Sequence, residues 1–305
     1  MRAREPDREG FVDRDGVRLH YEVFGDGEPT LVLVPSNPIV HSRQWKAQVP
    51  FLARHYRVVT FDGRGNGRSD RPVTPEAHTE EACVADLEAV LAATCPDPAV
   101  LIGLCSDGVW RSLWFAADHP EQVAGIVALS VGVPFIAPPH PFKDGTTFDQ
   151  VLDSDEGWAK LNRHYWRRDY PGFVEFFFAE MFPEPHSTKQ IEDCVGWALE
   201  TSTEVMLASM DAPFELSRQE VEEICRRVQA PLLIVHGVED RCQPYARAER
   251  LAELTGAPLV TMAGAGHMLP ARHPVKINLL IKDFVDHLST PGQRTRTTTT
   301  PVATP

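Results

Sequence analysis

The chain alternates short apolar runs with longer segments in which apolar residues recur at helical spacing. Runs of this length, bounded by glycine, proline or aspartate, are typical of strands, and a continuous apolar run indicates burial on both faces of a sheet. The predicted strands cover residues 17–25, 30–36, 56–62, 99–103, 122–130, 231–237 and 257–264.

Segments whose apolar residues recur at helical spacing separate most of these runs. In residues 78–94, for example, Val84, Leu87, Val90 and Leu91 fall on one face. The other segments with helical character are 42–55, 106–120, 244–256 and 274–287. Strands that alternate with helices imply a mostly parallel sheet with helices on both faces.

The alternation stops between residues 134 and 228. This segment has aromatic-rich helical patterns, such as WAKLNRHYWRRDY and FVEFFFAEMF, and no convincing strand. We therefore predict a helical cap at 134–228, inserted into an α/β core formed by 11–133 and 229–288. The threonine- and proline-rich segment 289–305 has the composition of a disordered tail.

Composition and charge narrow the function classes. The 305 residues carry a formal net charge of −13, which disfavours nucleic acid or an anionic membrane as a partner, since both require clustered lysine and arginine. No apolar run reaches the roughly 18 residues of a membrane span, and the charged N-terminus does not resemble a signal peptide. The six scattered cysteines lack zinc-type spacing. We expect a cytoplasmic monomer or homodimer that acts on a small molecule, without metal or organic cofactor.

The candidate chemistry centres on residues 99–110, AVLIGLCSDGVW, where Cys105 and Ser106 stand side by side between a strand and a helix. A nucleophile at such a turn stands clear of the sheet, and the helix N-terminus favours negative charge that develops there. The nucleophile also needs a base to accept its proton, and a histidine base needs a third group to fix its tautomer.

An ordered set of motifs supplies these groups. LVLVPSNP follows an early strand, FDGRGNGRSD the next, GLCSDG marks the strand-to-helix turn, and HGVEDRCQP and GAGHMLP come later. With these motifs, residues 11–288 resemble the α/β-hydrolase superfamily, whose triad runs in the order nucleophile, acid, histidine. The resemblance implies an eight-stranded, mostly parallel sheet with a helical cap. It also implies a triad of Cys105 or Ser106 with Asp240 and His267.

Either Cys105 or Ser106 is the nucleophile of this predicted triad. Small residues are expected two positions before and two after the nucleophile, because the turn is crowded. Cys105 has glycine before it but Asp107 after it. Ser106 has Gly108 after it but leucine before it. Since a cysteine beside a histidine at a helix N-terminus readily becomes a strongly nucleophilic thiolate, we favour Cys105 and keep Ser106 as the alternative.

The predicted oxyanion hole combines two backbone N–H groups. With Cys105 as nucleophile, one donor is the N–H of Ser106. The resemblance places the second donor in the loop after the early strand, where the family usually has His-Gly and this chain has Pro35 and Ser36. Proline has no N–H, and of the residues in PSNP that can donate, Asn37 matches the position better.

These residues predict an enzyme that hydrolyses or transfers the acyl group of a small ester, thioester or lactone. Cys105 attacks to form a covalent acyl-cysteine, His267 transfers the proton, and Asp240 orients the imidazole. One alternative is a non-hydrolytic acyltransferase or a lyase of secondary metabolism on the same site. Another is a ligand-binding protein with a disused pocket, although such a protein need not retain the acid and the histidine.

Overall fold

The computed structural model describes residues 4–137 and 147–288 of the chain. They form one eight-stranded sheet with helices on both faces, which confirms the predicted fold class. The predicted tail at 289–305 lies outside the described residues, and so does the 138–146 part of the predicted cap.

The strands follow one another in the sheet in the order β1-β2-β4-β3-β5-β6-β7-β8. The pairs β1–β2 and β2–β4 are antiparallel, and every other neighbouring pair is parallel. Their bounds are β1 Arg8–Arg14, β2 Val17–Phe24, β3 Thr30–Val34, β4 Arg57–Phe61, β5 Ala99–Leu104, β6 Val123–Leu129, β7 Leu232–Gly237 and β8 Leu259–Met262.

The described residues also contain ten α-helices, of which none is long and apolar enough to cross a bilayer. Their bounds are α1 Val49–Leu52, α2 Glu80–Thr94, α3 Cys105–Asp118, α4 Arg163–Met181, α5 Thr188–Ala198, α6 Thr203–Asp211, α7 Arg218–Arg227, α8 Ala246–Thr255, α9 Leu269–Arg272 and α10 Pro274–Leu288. The segment 42–55, which we expect to be helical only in part, forms a 3₁₀ turn, Ser42–Trp45, followed by the single turn α1. Pro50 lies in the first turn of α1, where its missing N–H costs no helical hydrogen bond.

The sheet separates two apolar cores, and its central strands contribute to both. In β3, Leu31 and Leu33 pack into one core, and Val32 and Val34 pack into the other. Every residue of β3 and β5 is buried, which is why both segments read as unbroken apolar runs. The strands that lead to the candidate site are therefore held from both sides.

The helices of the predicted cap divide between two locations. Aromatic residues of α4 join the core that contains Leu31 and Leu33, together with residues of α5 and α6. The helix α4 is kinked at Asp169, whose φ/ψ of −151°/70° is not helical, shortly before Pro171. This position is the expected one, because proline removes a helical donor and restricts the preceding backbone. By contrast, α7 packs in the other core against α3 and α8.

Candidate active site

The turn from β5 into α3 holds Cys105 in an unusual backbone conformation. Its φ is 65°, in the left-handed region that residues other than glycine rarely adopt. Strain of this kind persists only where the surrounding structure imposes it, and it is concentrated at functional sites. Cys105 is also the first residue of α3, so it occupies the tip of the turn at the positive end of a helix.

Two glycines allow this turn to close. A Cβ atom on Gly103 would lie 2.2 Å from the carbonyl oxygen of Gly108, so no larger residue fits without moving the backbone. The contact joins the residue two before Cys105 to the residue three after it. The small residue expected two after the nucleophile is therefore supplied one position later. Asp107 occupies the intervening position, and its carboxylate lies 3.3 Å from the Arg111 guanidinium.

Cys105 and Ser106 share Gln243 as a neighbour but differ in their other contacts. The sulfur of Cys105 lies within 4.8 Å of a ring nitrogen of His267, and Cys105 is one of the groups that raise the pKa of that histidine. The hydroxyl oxygen of Ser106 instead accepts a hydrogen bond of 2.9 Å from Nε2 of Gln243. Gly132 packs closely behind the serine, because a Cβ there would lie 2.6 Å from Oγ. Nε2 of Gln243 also lies 3.8 Å from the Cys105 sulfur, so the glutamine contacts both side chains, and the thiol lies beside the histidine as well.

Asp240 and His267 come together from the loops that follow β7 and β8. Nδ1 of His267 lies 2.7 Å from Oδ2 of Asp240. The other carboxylate oxygen accepts the backbone N–H groups of Cys242 and Gln243 at 2.7 and 2.8 Å. Because an ionised carboxylate only accepts, the contact places the proton of the imidazole on Nδ1 and leaves Nε2 for Cys105.

A second histidine, which we did not include among the predicted site residues, also contacts Asp240. Nδ1 of His236 accepts the N–H of Val131 at 3.0 Å, so its proton is on Nε2. That nitrogen lies 3.3 Å from Oδ2 of Asp240 and 3.2 Å from the carbonyl oxygen of Gln243. In the sequence, His236 stands at the end of β7, four residues before the acid, and this position does not by itself indicate the role.

The electrostatics of the site follow from these contacts. Burial alone would raise the pKa of Asp240, but His267 and His236 hold it well below its ordinary value. Burial alone would lower the pKa of His267, but Asp240 and Cys105 raise it to about 10. The environment therefore favours an imidazolium beside the Asp240 carboxylate, and an imidazolium beside a cysteine stabilises its thiolate.

The two predicted oxyanion donors belong to residues that line one cavity at this turn. The N–H of Ser106 is in the first turn of α3, where no helical carbonyl can accept it. Asn37 lies in the loop after β3, and its Oδ1 accepts the N–H of Ile39 at 3.2 Å. The neighbouring Ser36 donates to the carbonyl of Leu104 at 2.8 Å, which ties this loop to the strand that leads to Cys105.

The cavity is lined mainly by apolar side chains. Four aromatic residues of α4 contribute to the lining, namely Trp166, Phe173, Phe177 and Phe178. Its volume of about 130 Å³ is small beside the ~300–1,000 Å³ typical of ligand pockets. The cavity therefore suits a small ligand.

Two groups of side chains in the described residues could hold a metal ion, and in each the candidate ligand atoms lie within 4.8 Å of one another. They are Cys105, Cys242 and His267 at the turn, and Glu9, His20 and Glu22 on β1 and β2. The first set has the ligand types of a zinc site. Its histidine already pairs with Asp240, and Nε2 of Gln243 lies 3.8 Å from both sulfurs. The absence of a metal cofactor stays a prediction.

The sheet order, the strained turn and the acid–histidine pair define an α/β-hydrolase. A model of the alpha/beta hydrolase family matches residues 31–278, and the chain belongs to this family.

The chain is 27% identical to a non-heme chloroperoxidase from Streptomyces lividans over 274 residues, which cover 89% of this chain and 97% of that protein. It is 25% identical to a bifunctional esterase/perhydrolase from Acinetobacter calcoaceticus over 281 residues, which cover 90% and 99% of the two chains. The crystal structure of an esterase from a Rhodococcus species superposes with a TM-score of 0.75 at 22% identity, covering 92% of this chain and 99% of the esterase. At that identity, the structural likeness shows the fold alone.

Proposed function

We propose that this protein hydrolyses or transfers the acyl group of a small ester, thioester or lactone through an acyl-Cys105 intermediate. The observation that carries the proposal is the position of Cys105, at the strained tip of the turn and with its sulfur within 4.8 Å of a ring nitrogen of His267, the histidine that Asp240 orients at 2.7 Å. The similarity to a protein named as an esterase/perhydrolase supports the same class of chemistry.

The first half of the reaction forms the acyl-enzyme. The thiolate of Cys105 attacks the carbonyl carbon of the substrate, and the oxygen of that carbonyl becomes an oxyanion. The backbone N–H groups of Ser106 and Asn37 donate hydrogen bonds to it. As the tetrahedral intermediate collapses, the bond to the leaving group breaks, and the His267 imidazolium gives its proton to the departing alcohol or thiol.

The second half regenerates the thiolate. His267, now neutral, takes a proton from a water molecule, and the resulting hydroxide attacks the thioester carbon. The bond to Cys105 then breaks, which releases a carboxylic acid and restores the ion pair. An alcohol, amine or thiol can take the place of water in this step, because a thioester is an energetic acyl donor. Transfer to such an acceptor would use the same residues.

The nucleophile is tested by comparing two neighbouring alanine variants with p-nitrophenyl acetate as the acyl donor. We expect Cys105→Ala to abolish nearly all turnover and the acetyl adduct seen by intact-mass analysis of the wild type. Ser106→Ala should keep most of the turnover, because the backbone donor survives removal of the side chain. The reverse pattern would assign the role to Ser106. A wild-type protein that binds acyl compounds, but neither acylates nor turns over, would instead be a binding protein.

The fate of the acyl group is tested by product partitioning. The enzyme is given a fixed concentration of acyl donor with rising concentrations of alcohols, amines or thiols, and the acid and the transfer product are measured. If only acid forms and no acceptor changes its rate, the activity is hydrolysis.

A further inference from the structure

Two cysteine sulfurs lie beside the histidine of the candidate site. The sulfurs of Cys105 and Cys242 are within 4.8 Å of each other, and each is within 4.8 Å of a ring nitrogen of His267. The proposed acyl chemistry uses the thiol of Cys105 and assigns no part to the second thiol. At this distance, the chemistry open to the pair is the formation of a bond between the two sulfurs.

The amide of Gln243 contacts both sulfurs. Its Nε2 lies 3.8 Å from the sulfur of Cys105 and 3.8 Å from the sulfur of Cys242. Its Oε1 accepts a hydrogen bond from Arg247, which fixes the amide with its NH₂ group toward the sulfurs. The backbone N–H of Cys242 donates to Asp240 at 2.7 Å, so the loop that carries this cysteine is anchored to the acid. The polar groups of the site thus hold the two thiols together.

The other four of the six cysteines are in environments that disfavour oxidation. Burial raises the pKa of Cys83 and of Cys225 to about 12. It raises the pKa of Cys95 and of Cys194 as well. Because the thiolate is the reactive form of cysteine, these four residues stay as unreactive thiols at neutral pH. Oxidation should therefore begin at Cys105, which is partly exposed and lies beside the histidine.

The cavity gives a small oxidant access to this pair. Cys105 and Cys242 both line it. Its volume of about 130 Å³ exceeds several-fold the ~15 Å³ that a water molecule needs, so a molecule as small as hydrogen peroxide fits beside the sulfurs. The oxidant that the site suits is therefore a small hydroperoxide.

We propose that Cys105 and Cys242 reduce a small hydroperoxide and close to a disulfide. The pair is then a peroxide-reducing dithiol in the same cavity as the proposed acyl chemistry. This second activity uses the thiol of Cys105 but needs no acyl transfer, so it goes beyond the proposed function and does not depend on it.

The first step oxidises Cys105. Its thiolate attacks one oxygen of the hydroperoxide, an S–O bond forms, and the O–O bond breaks. The His267 imidazolium gives its proton to the departing alkoxide or hydroxide, which leaves as an alcohol or as water. Cys105 has then lost two electrons to the peroxide and is a sulfenic acid.

The second step closes the disulfide. Neutral His267 takes the proton of the Cys242 thiol, and the resulting thiolate attacks the sulfur of the sulfenic acid. The S–S bond forms, the S–O bond breaks, and the departing hydroxide takes the proton from His267 to leave as water. The sulfurs must approach from within 4.8 Å to about 2.05 Å, a movement that rotation about a Cα–Cβ bond can supply.

The disulfide has two consequences for the site. It removes the proposed nucleophile, so a hydroperoxide should stop acyl transfer and a reducing thiol should restore it. It also protects Cys105, because a sulfenic acid without a neighbouring thiol is oxidised further to a sulfinic acid, which thiols do not reduce.

The test treats the full-length wild type with hydrogen peroxide in the presence of EDTA, which keeps metal ions off the sulfurs. The protein is then alkylated under denaturing conditions, and its peptides are mapped by mass spectrometry. We expect the alkylated thiols to fall from six to four, with the peptides of Cys105 and Cys242 joined, and dithiothreitol to restore all six. A disulfide between other cysteines, or a sulfinic acid on Cys105 with Cys242 still a thiol, would overturn the inference.

Two serine variants separate the role of Cys242 from general oxidation. Cys242→Ser should stop at the sulfenic acid, so that Cys105 takes up dimedone and then becomes a sulfinic acid that dithiothreitol does not reduce. Cys95→Ser is the matched control, because Cys95 follows α2, is only partly buried and lines a different cavity. It should form the same disulfide as the wild type. Equal dimedone labelling of Cys105 in the wild type and in Cys242→Ser would contradict the role of Cys242.

The outcome is distinguishable from that of the proposed function. A wild type that forms the disulfide, but neither acylates nor turns over p-nitrophenyl acetate, keeps the inference and loses the proposed function. A wild type that turns over the ester but forms no disulfide does the reverse. The peptide map needs only the wild type, so it decides the question even if a serine variant fails to fold.

Discussion

Replacing Asp240 by asparagine tests the triad at its most constrained contact. The carboxylate has two different sets of donors: backbone N–H groups of Cys242 and Gln243 on Oδ1, and the rings of His267 and His236 on the side of Oδ2. The backbone donors cannot change, so the remaining oxygen of an asparagine must stay with them. The new NH₂ group then faces the two histidines.

The effect on catalysis depends on which of the two histidines can change the position of its proton. His236 is fixed with its proton on Nε2, because Val131 donates to its Nδ1. Asp240 raises the pKa of His267, so its replacement favours the neutral ring, and only His267 can then avoid the clash of donors, by carrying its single proton on Nε2. That proton faces the sulfur of Cys105, so the ring can no longer take the thiol proton to form the ion pair. A wrong tautomer in a triad of this kind lowers kcat by about 10⁴.

The effect on folding should be much smaller. The donor of His236 is left facing another donor, and an unsatisfied buried group costs about 1–3 kcal/mol, against a typical total stability of about 5–15 kcal/mol. Asp240→Asn should therefore stay folded, which circular dichroism and thermal melting check. Turnover is measured with p-nitrophenyl acetate in the burst and steady-state phases.

A matched control separates triad chemistry from the loss of any buried carboxylate. Asp86 is 2% exposed and accepts hydrogen bonds from Arg64 and Arg14, away from the cavity. Asp86→Asn should lose stability but keep a kcat near that of the wild type. A folded Asp240→Asn variant whose kcat stays within tenfold of the wild type would refute the tautomer argument.

Two other predictions concern the turn and its ionisation. Gly103→Ala should lower the free energy of unfolding by about 1–3 kcal/mol, because its Cβ would meet the Gly108 carbonyl. Gly196→Ala is the control, because a Cβ there, on α5, would stand in open space and should not lower that free energy. Equal urea midpoints for the two variants would contradict this account. The raised pKa of His267 should stabilise the fold fully below about pH 6.5, and this contribution should disappear as the pH rises toward about 10. In urea titrations, the stability difference between the wild type and Asp240→Asn should shrink over that range, and a constant difference would argue against the imidazolium.

The central part of the fold is readable from the sequence because of how it is buried. The strands β3 and β5 are covered on both faces, so their apolar runs are continuous and unambiguous. The strand β1 has no fully buried residue and lies at the edge of the sheet, so its composition resembles that of a polar loop and the apolar pattern misses it. Likewise, the amphipathic pattern of α7 predicts a helix but not which of the two cores it joins.

The candidate site is readable only where its residues have a fixed order along the chain. The order of Cys105, Asp240 and His267 is such a signal. The role of His236 is not, because its ring reaches Asp240 through a tautomer that the N–H of Val131 selects in three dimensions.

The close contact between Gly103 and Gly108 changes how chains of this kind can be recognised and how they can diverge. With Cys105 as the proposed nucleophile, a search pattern that demands glycine two residues after the nucleophile passes over this chain, whereas G-x-C-x-x-G retains it. With the glycine one position later, the position of Asp107 can carry a large side chain at the cavity wall without disturbing the turn. This chain therefore offers protein engineering an additional position next to the proposed nucleophile.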